Sequence, residues 1–437
     1  MTYKEAREFI DDCNKYGWKP GLDTIKELLR RLGNPQDKLR CIHVGGTNGK
    51  GSTVALLSSI LSQAGYRVGR YVSPAVFTYE EMIQIESKEK QTQFISKDSI
   101  CKAIELIKPL CASMVMDGFA HPTTFEIETA IAFLYFTWER VDLTILEVGM
   151  GGRLDATNVI KSPVCSVITS IGMEHMQFLG ETLDKIAREK AGIIKATSPV
   201  ITFNQQQEAI EVIQEISALR NSPLTIVSQD NISNIHHALE GIRFSLQHDG
   251  RIEDYHLGLL GEHQVKNAAL AIETAKIMNR LGYPIDDEAI KNGLSHARWR
   301  GRFEIVHKNP YIVVDGAHNI DAAMNLKASI ELYFPDRRLI YIMGVLADKD
   351  YNSILSLTAP LAHTIITITP NNSRALSSQD LSIAARKYCN NVIDSGNIDG
   401  AIEKALTEAK ENDVIIAFGS LTYLGDLINC LNVRKED

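Results

Sequence analysis

The chain has 437 residues, 44% hydrophobic and 23% charged, with a formal net charge of −8 at pH 7. That length is too great for one core, so two or three domains are expected, and the acidic balance argues against nucleic acid or an anionic membrane as the main partner. Seven cysteines without a CxxC pair read as reduced thiols of a cytoplasmic protein, and neither a basic-then-apolar leader nor a run of about 18 apolar residues is present.

In chain order, residues 1–32 read as two short helices around Gly17-Trp-Lys-Pro-Gly21. A strand at Cys41–Val44 leads into a glycine-rich turn, Lys50 and the helix-like run Val54–Leu61. Strand-like and helix-like runs then alternate: Arg67–Val72, helices 98–115 and 123–139, Leu143–Val148, Val164–Ser170, helix 182–194 and Val200–Phe203. This alternation predicts an α/β fold, a parallel sheet covered by helices. Residues 224–260 suggest a small antiparallel insert, and helix 264–280 follows. The short polar stretch Ser295–Gly301 marks the expected boundary between domains 1–297 and 298–437. Beyond it, strands near 311–314, 338–344, 364–369 and 414–418 predict a smaller, Rossmann-like α/β domain.

The stretch Cys41-Ile-His-Val-Gly-Gly-Thr-Asn-Gly-Lys-Gly-Ser-Thr53 orders strand, glycine loop, lysine and helix as a phosphate cradle requires. Backbone N–H groups of Gly46, Thr47, Asn48, Gly49 and Gly51 converge on an anion, as in a P-loop ATPase domain. Lys50 reaches the β/γ-phosphates, and Ser52 or Thr53 offers a hydroxyl to Mg²⁺. In the common P-loop pattern the hydroxyl residue directly follows the lysine; here Gly51 intervenes. The competing reading is a glycine-rich turn that only caps a helix.

The altered loop resembles that of the Mur ligase superfamily, in its folylpolyglutamate synthase/dihydrofolate synthase branch. Further stretches resemble it in the same order: Gly21-Leu-Asp-Thr24, Pro122-Thr-Thr-Phe-Glu126, Glu147–Asn158, Glu189–Ile193, Gly261–Asn267, Gly301-Arg302, Asp315–Asn319 and Gly419-Ser-Leu421. Only about forty residues precede the loop, too few for a separate nucleotide-sugar domain, which suits a two-domain folate-type ligase. The resemblance implies ATP-dependent amide formation: a carboxylate takes the γ-phosphoryl group, an amine attacks the acyl phosphate, and phosphate leaves. Catalysis of that kind is mostly cation placement and orientation.

Ser73, Glu147 and His175 each follow a predicted strand, so in an open parallel sheet they converge with the phosphate loop at the carboxyl edge. Together with Ser52 they are the candidate Mg²⁺ ligands. Ser73 also reads as the start of a turn with Pro74. Glu147 ends an apolar strand, where an unpaired carboxylate is costly. His175 is an unusual ligand for a hard cation, and its role rests on the resemblance. Lys190 lies on a helix with Lys185 and Arg188 and would alone read as a solvated face; the resemblance implies that CO₂ carbamylates it. It also implies ATP contacts for Asn267, Arg302 and Asp315, and cleft positions for His318 and Ser420. For the pterin-bearing substrate it points to Gly21, Leu22, Asp23, Thr24, Pro122, Thr123, Thr124, Phe125, Leu154 and Asp155. The chain departs from the family at Arg300, where proline is usual before Gly-Arg. It departs again in Ser73-Pro-Ala-Val76 and Glu80-Glu-Met-Ile83, a loop that shapes the acceptor pocket.

The expected protein is a cytoplasmic Mg²⁺/ATP-dependent ligase joining L-glutamate to dihydropteroate or a reduced folate, with small-molecule substrates, no nucleic-acid or membrane partner and a monomeric state. The alternatives are a related ligase with another acid acceptor and a nucleotide-binding regulator without turnover.

Overall fold

The computed structural model describes residues 1–17 and 20–436, so Trp18 and Lys19 of the expected turn lie outside the described residues. Eight strands form the larger sheet: β1 (Cys41–Gly45), β2 (Val68–Tyr71), β3 (Ile83–Ser87), β4 (Lys90–Phe94), β5 (Leu143–Glu147), β6 (Cys165–Ile168), β7 (Val200–Phe203) and β8 (Leu224–Val227). Their spatial order is β4-β3-β2-β5-β1-β6-β7-β8. Strands β2, β5, β1, β6, β7 and β8 run parallel, and β3 and β4 add an antiparallel edge. The chain leaves β1 for one side of it through β2 and returns later to the other side as β6. The carboxyl end of β1 is therefore a switch point, where a crevice opens.

The helices of this part are α1 (Tyr3–Asp12), α2 (Asp23–Arg31), α3 (Lys50–Gln63), α4 (Lys97–Met116), α5 (Thr124–Trp138), α6 (Met176–Leu179), α7 (Leu183–Ala191), α8 (Gln207–Leu219), α9 (Glu262–Arg280) and α10 (Asp287–His296). Every residue of α3 from Ser52 to Ser62 is buried, because sheet, α9 and α10 enclose it. Small serines at Ser58, Ser59 and Ser62 permit that enclosure without an apolar surface all round. On the opposite face, Ile10, Leu28, Ile104 and Phe133 from α1, α2, α4 and α5 form a second core against Tyr71 and Leu146.

The insert is a three-stranded antiparallel sheet of β9 (Ile232–Ala238), β10 (Gly241–His248) and β11 (Arg251–Leu257). It is narrower than the expected span 224–260: Leu224–Val227 instead extends the large sheet as β8, parallel to β7. Its short apolar run carries no sign of strand direction; the crossover through α8 sets it. The β3–β4 hairpin was also unforeseen, since its polar Lys90–Phe94 half lacks a buried stripe.

The remaining strands are β12 (Glu304–Lys308), β13 (Tyr311–Val314), β14 (Leu339–Met343), β15 (Thr364–Ile368), β16 (Val392–Gly396) and β17 (Val414–Phe418). They build a second sheet in the order β12-β13-β17-β14-β15-β16, parallel except for β12. Helix α11 (Ile320–Tyr333) follows β13 and packs on one face of this sheet.

Candidate functional site

Strand β1 ends at Gly45, and the chain turns through Gly46 (φ 144°) and Gly49 (φ 88°) into α3. A Cβ on Gly49 would stand 2.4 Å from Asn267 Oδ1, so glycine lets α9 lie directly against the loop. The segment after β6 pins the loop from the other side. Thr47 N–H donates to Ser170 O at 2.7 Å, Thr47 Oγ1 accepts from Gly172 N–H at 3.0 Å, and Ser170 Oγ donates to Asn48 O at 3.0 Å. Lys50 Nζ donates to Gly46 O at 3.0 Å and Thr47 O at 2.9 Å. Ser52 Oγ accepts from Gln264 Nε2 at 3.2 Å, whereas Thr53 is fully buried and does not line the cleft.

Thr47, Asn48, Gly49, Lys50, Gly51 and Ser52 form one wall of that cleft, joined by Ser73, Glu147 and His175. Arg302, Asp315 and His318 complete it from the second sheet. Glu147 ends β5, and burial pushes its carboxyl up to about 7 while Lys50, Arg302 and the Ser73 N–H oppose the rise. His175 sits in the left-handed region (φ 52°) as α6 begins, and burial lowers its pKa, which favours the neutral imidazole. Lys190 is not a solvated helix-face residue. It is buried, donates to Gly46 O at 2.8 Å, and is brought down to about 7 by burial and by Lys50.

Asp315, just past β13, accepts from Phe303 N–H at 2.7 Å and Ala317 N–H at 2.8 Å, so its two oxygens tie the backbone next to Arg302 to the turn after β13. The Arg302 guanidinium lies so close over Gly316 that a Cβ there would be 2.4 Å from Nη1. Asn267 donates to Gln264 Oε1 at 2.9 Å, just behind the loop. Ser420 is buried, with its hydroxyl 2.9 Å from that of Thr422, and its neighbour Leu421 reaches the cleft instead.

Glu174 was not singled out from the sequence, yet it bridges the two sheets' halves of the cleft. Its Oε1 lies 3.5 Å from His318 Nε2, 3.6 Å from Lys349 Nζ and 3.8 Å from His175 Nε2, and accepts from Asn319 Nδ2 at 3.5 Å. Burial works against its ionisation, but His318, His175 and Lys50 hold the carboxyl well below the usual range. The available signal was a carboxylate next to His175; nothing local flagged Lys349.

A second cavity of about 700 Å³ lies beside the first. Gly21, Thr123, Phe125, Leu154 and Asp155 line it, whereas Leu22, Asp23, Thr24, Pro122 and Thr124 do not. Thr124 donates its hydroxyl to Asn14 Oδ1 at 3.0 Å, and Asp23 begins α2. The Phe125 ring packs on Gly149 and stacks with Tyr71 at 6.0 Å between centroids. Asp155 is committed to structure: it accepts from the N–H groups of Gly149 and Met150 at 3.0 Å each, and from Thr157. Ser73, Pro74 and Gly149 line both cavities, which therefore meet at the tip of β2 and β5.

The divergent loop after Ser73 explains itself in three dimensions. Val76 and Phe77 pack into the second sheet's core with Leu421 and Leu424, and the Arg300 guanidinium lies 3.3 Å over the Phe77 ring. Ala75, Tyr79 and Met82 face the second cavity. The residues that depart from the expected pattern thus join the two halves.

The Mur ligase middle domain model matches residues 44–275, and the Mur ligase glutamate ligase domain model matches residues 301–421. A dihydrofolate synthase/folylpolyglutamate synthase of Bacillus subtilis is 37% identical over 98% of this chain and 98% of its own length. The chain belongs to the Mur ligase family, in its folylpolyglutamate synthase/dihydrofolate synthase branch. The structure of folylpolyglutamate synthase from Thermotoga maritima superimposes with a TM-score of 0.85 at 33% identity, covering 100% of this chain and 98% of that one. Escherichia coli FolC in complex with DHPP and ADP gives a TM-score of 0.85 at 26% identity, covering 98% of both. Among the described residues, no cluster of three or more His, Cys, Asp or Glu forms a metal cage, and no helix is long and apolar enough to cross a membrane. The cleft between the sheets and the adjoining cavity are concave sites of the kind that small molecules occupy.

Proposed function

We propose that the chain joins L-glutamate to the carboxylate of dihydropteroate or a reduced folate with ATP, forming ADP, and so acts as both dihydrofolate synthase and folylpolyglutamate synthase. The observation that carries this reading is the junction of the two cavities at Ser73, Pro74 and Gly149. Nucleotide bound on the loop then presents its γ-phosphate to a carboxylate entering from the neighbouring cavity.

The loop N–H groups and Lys50 hold the β- and γ-phosphates, and Arg302 approaches them from the second half. A carboxylate oxygen of the acceptor attacks the γ-phosphorus and ADP departs. The glutamate amine then attacks the acyl carbon, phosphate leaves and the amine's proton is released. Glu147, His175, Ser73 and Ser52 would hold Mg²⁺. The fit rests on Glu147, a buried carboxylate raised to about 7 that a dication would return to its charged form. The scarcity of further carboxylates suits an ion that keeps waters and substrate phosphates as ligands. When bound, the ion neutralises phosphate charge. Lys190, lowered to about 7, keeps part of its amine neutral at neutral pH. Attack of that lone pair on CO₂, with loss of a proton, gives a carbamate anion beside Gly46 and reverses the local charge.

The seven cysteines are free, as a reducing cytoplasm would keep them, and a monomer working on small molecules is the proposed state. The test is a panel of acceptor acids with ATP, Mg²⁺ and glutamate, read by product mass. Glutamylated dihydropteroate and folate are expected. Turnover confined to acids without a pterin, or no ADP release with any acceptor, overturns the assignment.

A further inference from the structure

The second cavity contains a charged pair that the reaction above does not use. Phe125 and Glu128 stand three residues apart on α5 and so share one helix face, and both line the cavity. Arg7 of α1 and Tyr79 line it as well. Arg7 Nη2 donates to Asp11 Oδ1 at 2.8 Å, and its guanidinium lies 3.6 Å over the Tyr79 ring. Its Nη1 is buried with no hydrogen-bond partner among the described residues. The cavity's other carboxylates are already engaged. Asp155 ties the Gly149–Met150 backbone, and Glu126 Oε2 closes the capping box with Thr123. Glu128 has no such backbone tie among the described residues, and burial pushes its carboxyl up to about 7 while Arg7 and Tyr79 oppose the rise.

A carboxylate that Tyr79 engages only in part, and a buried guanidinium N–H without a partner among the described residues, describe the complement of a particular ligand edge. A fused ring with an amino group, a ring N–H and a carbonyl along one edge offers two donors and one acceptor. We infer that Glu128 and Arg7 form the specificity pair for the amino-oxo edge of the acceptor's heterocycle, Glu128 taking the amino and ring N–H donors and Arg7 Nη1 donating to the carbonyl. Phe125 supplies the flat face on the same side of α5. This rests on the proposed pterin-bearing acceptor, and it assigns the side chains that tell such a ring from another acid of similar length. A site built to hydrogen-bond an edge rejects an analogue lacking it, because its own polar groups are then left buried and unpaired.

Glu128→Gln keeps the size and places an amide N–H against the ring donors. With dihydropteroate its acceptor KM should rise roughly 10- to 100-fold, the loss of hydrogen bonds to a charged group. The kcat, the KM values for ATP and glutamate, and the melting temperature should stay unchanged. With a 2-desamino acceptor the wild type should itself bind worse, and the difference between wild type and variant should shrink. Glu128→Ala, without the intruding amide, should show the same dependence on the 2-amino group. An unchanged acceptor KM, an equal penalty with the desamino acceptor, or a penalty shared by ATP overturns the pair's role. A wild type that turns over other acids but not dihydropteroate removes the proposed function and this inference together; normal wild-type turnover with an indifferent Glu128 variant removes only the inference.

Discussion

Lys190 offers a test in which stability and activity move in opposite directions. Its ammonium is buried between the phosphate loop and α7, and its pKa falls from 10.5 to about 7. At about 1.4 kcal/mol per unit, keeping this lysine in the unmodified fold costs about 5 kcal/mol relative to a neutral side chain. Lys190→Met keeps the length and removes the charge. It forfeits one hydrogen bond to Gly46 O, about 1 kcal/mol, but that carbonyl retains Lys50 at 3.0 Å. The net expectation is a gain of roughly 4 kcal/mol and a melting temperature higher by several degrees. The sign of the pH dependence follows from the same shift. The unfolded lysine binds its proton more tightly than the folded one, so in CO₂-free buffer wild-type stability should rise with pH between about 7 and 10.5. The variant should lack that slope. Ligase activity should nevertheless be nearly abolished, because the carbamate site is gone. Differential scanning calorimetry across that range, with an ADP-release assay on the same samples, reads both quantities. A variant that melts lower than wild type, or one with full turnover, refutes the reasoning.

Lys50→Ala should lower kcat by about 10³-fold or more, with an unchanged melting temperature, since among the described residues Lys50 bonds to the loop carbonyls of Gly46 and Thr47; near-normal turnover would remove it from the phosphate site. Gly49→Ala forces a side chain into φ 88° and against Asn267, so a stability loss of about 1–2 kcal/mol and a raised KM for ATP are expected. Retained ATP affinity in that variant would show that the loop's shape is not what binds nucleotide. Arg302→Ala should weaken ATP use far more than acceptor binding, and a loss confined to the acceptor would move Arg302 out of the nucleotide cleft. Hydroxylamine with ATP and dihydropteroate should yield a hydroxamate in the absence of glutamate, and failure to trap it argues against the acyl phosphate.

The cleft-lining stretches were legible because each combines a strand end with a residue type that packing alone does not explain. Gly46–Lys50 after an apolar strand, Glu147 after Leu143–Leu146 and Asp315 after Tyr311–Val314 belong to this class. Parallel strands carry their loops to one edge, so the order of such signals already implies their convergence. Other outcomes depended on distant partners. Lys190 has the local sequence of a surface helix, and only the approach of Gly46 makes it a buried, depressed amine. Asp155 reads in sequence as a free acid, and only the fold shows it lining the second cavity while accepting from Gly149 and Met150. Leu224–Val227 has no directional signal, and the crossover through α8 assigns it to the large sheet. Glu174 is set among His318 and Lys349 by how the two halves pack, and Phe77 finds Arg300 for the same reason. Hydrophobic period and loop chemistry act over a few residues and are written in the chain itself. Burial and charge environment are sums over neighbours far apart in sequence, and only the folded arrangement supplies them.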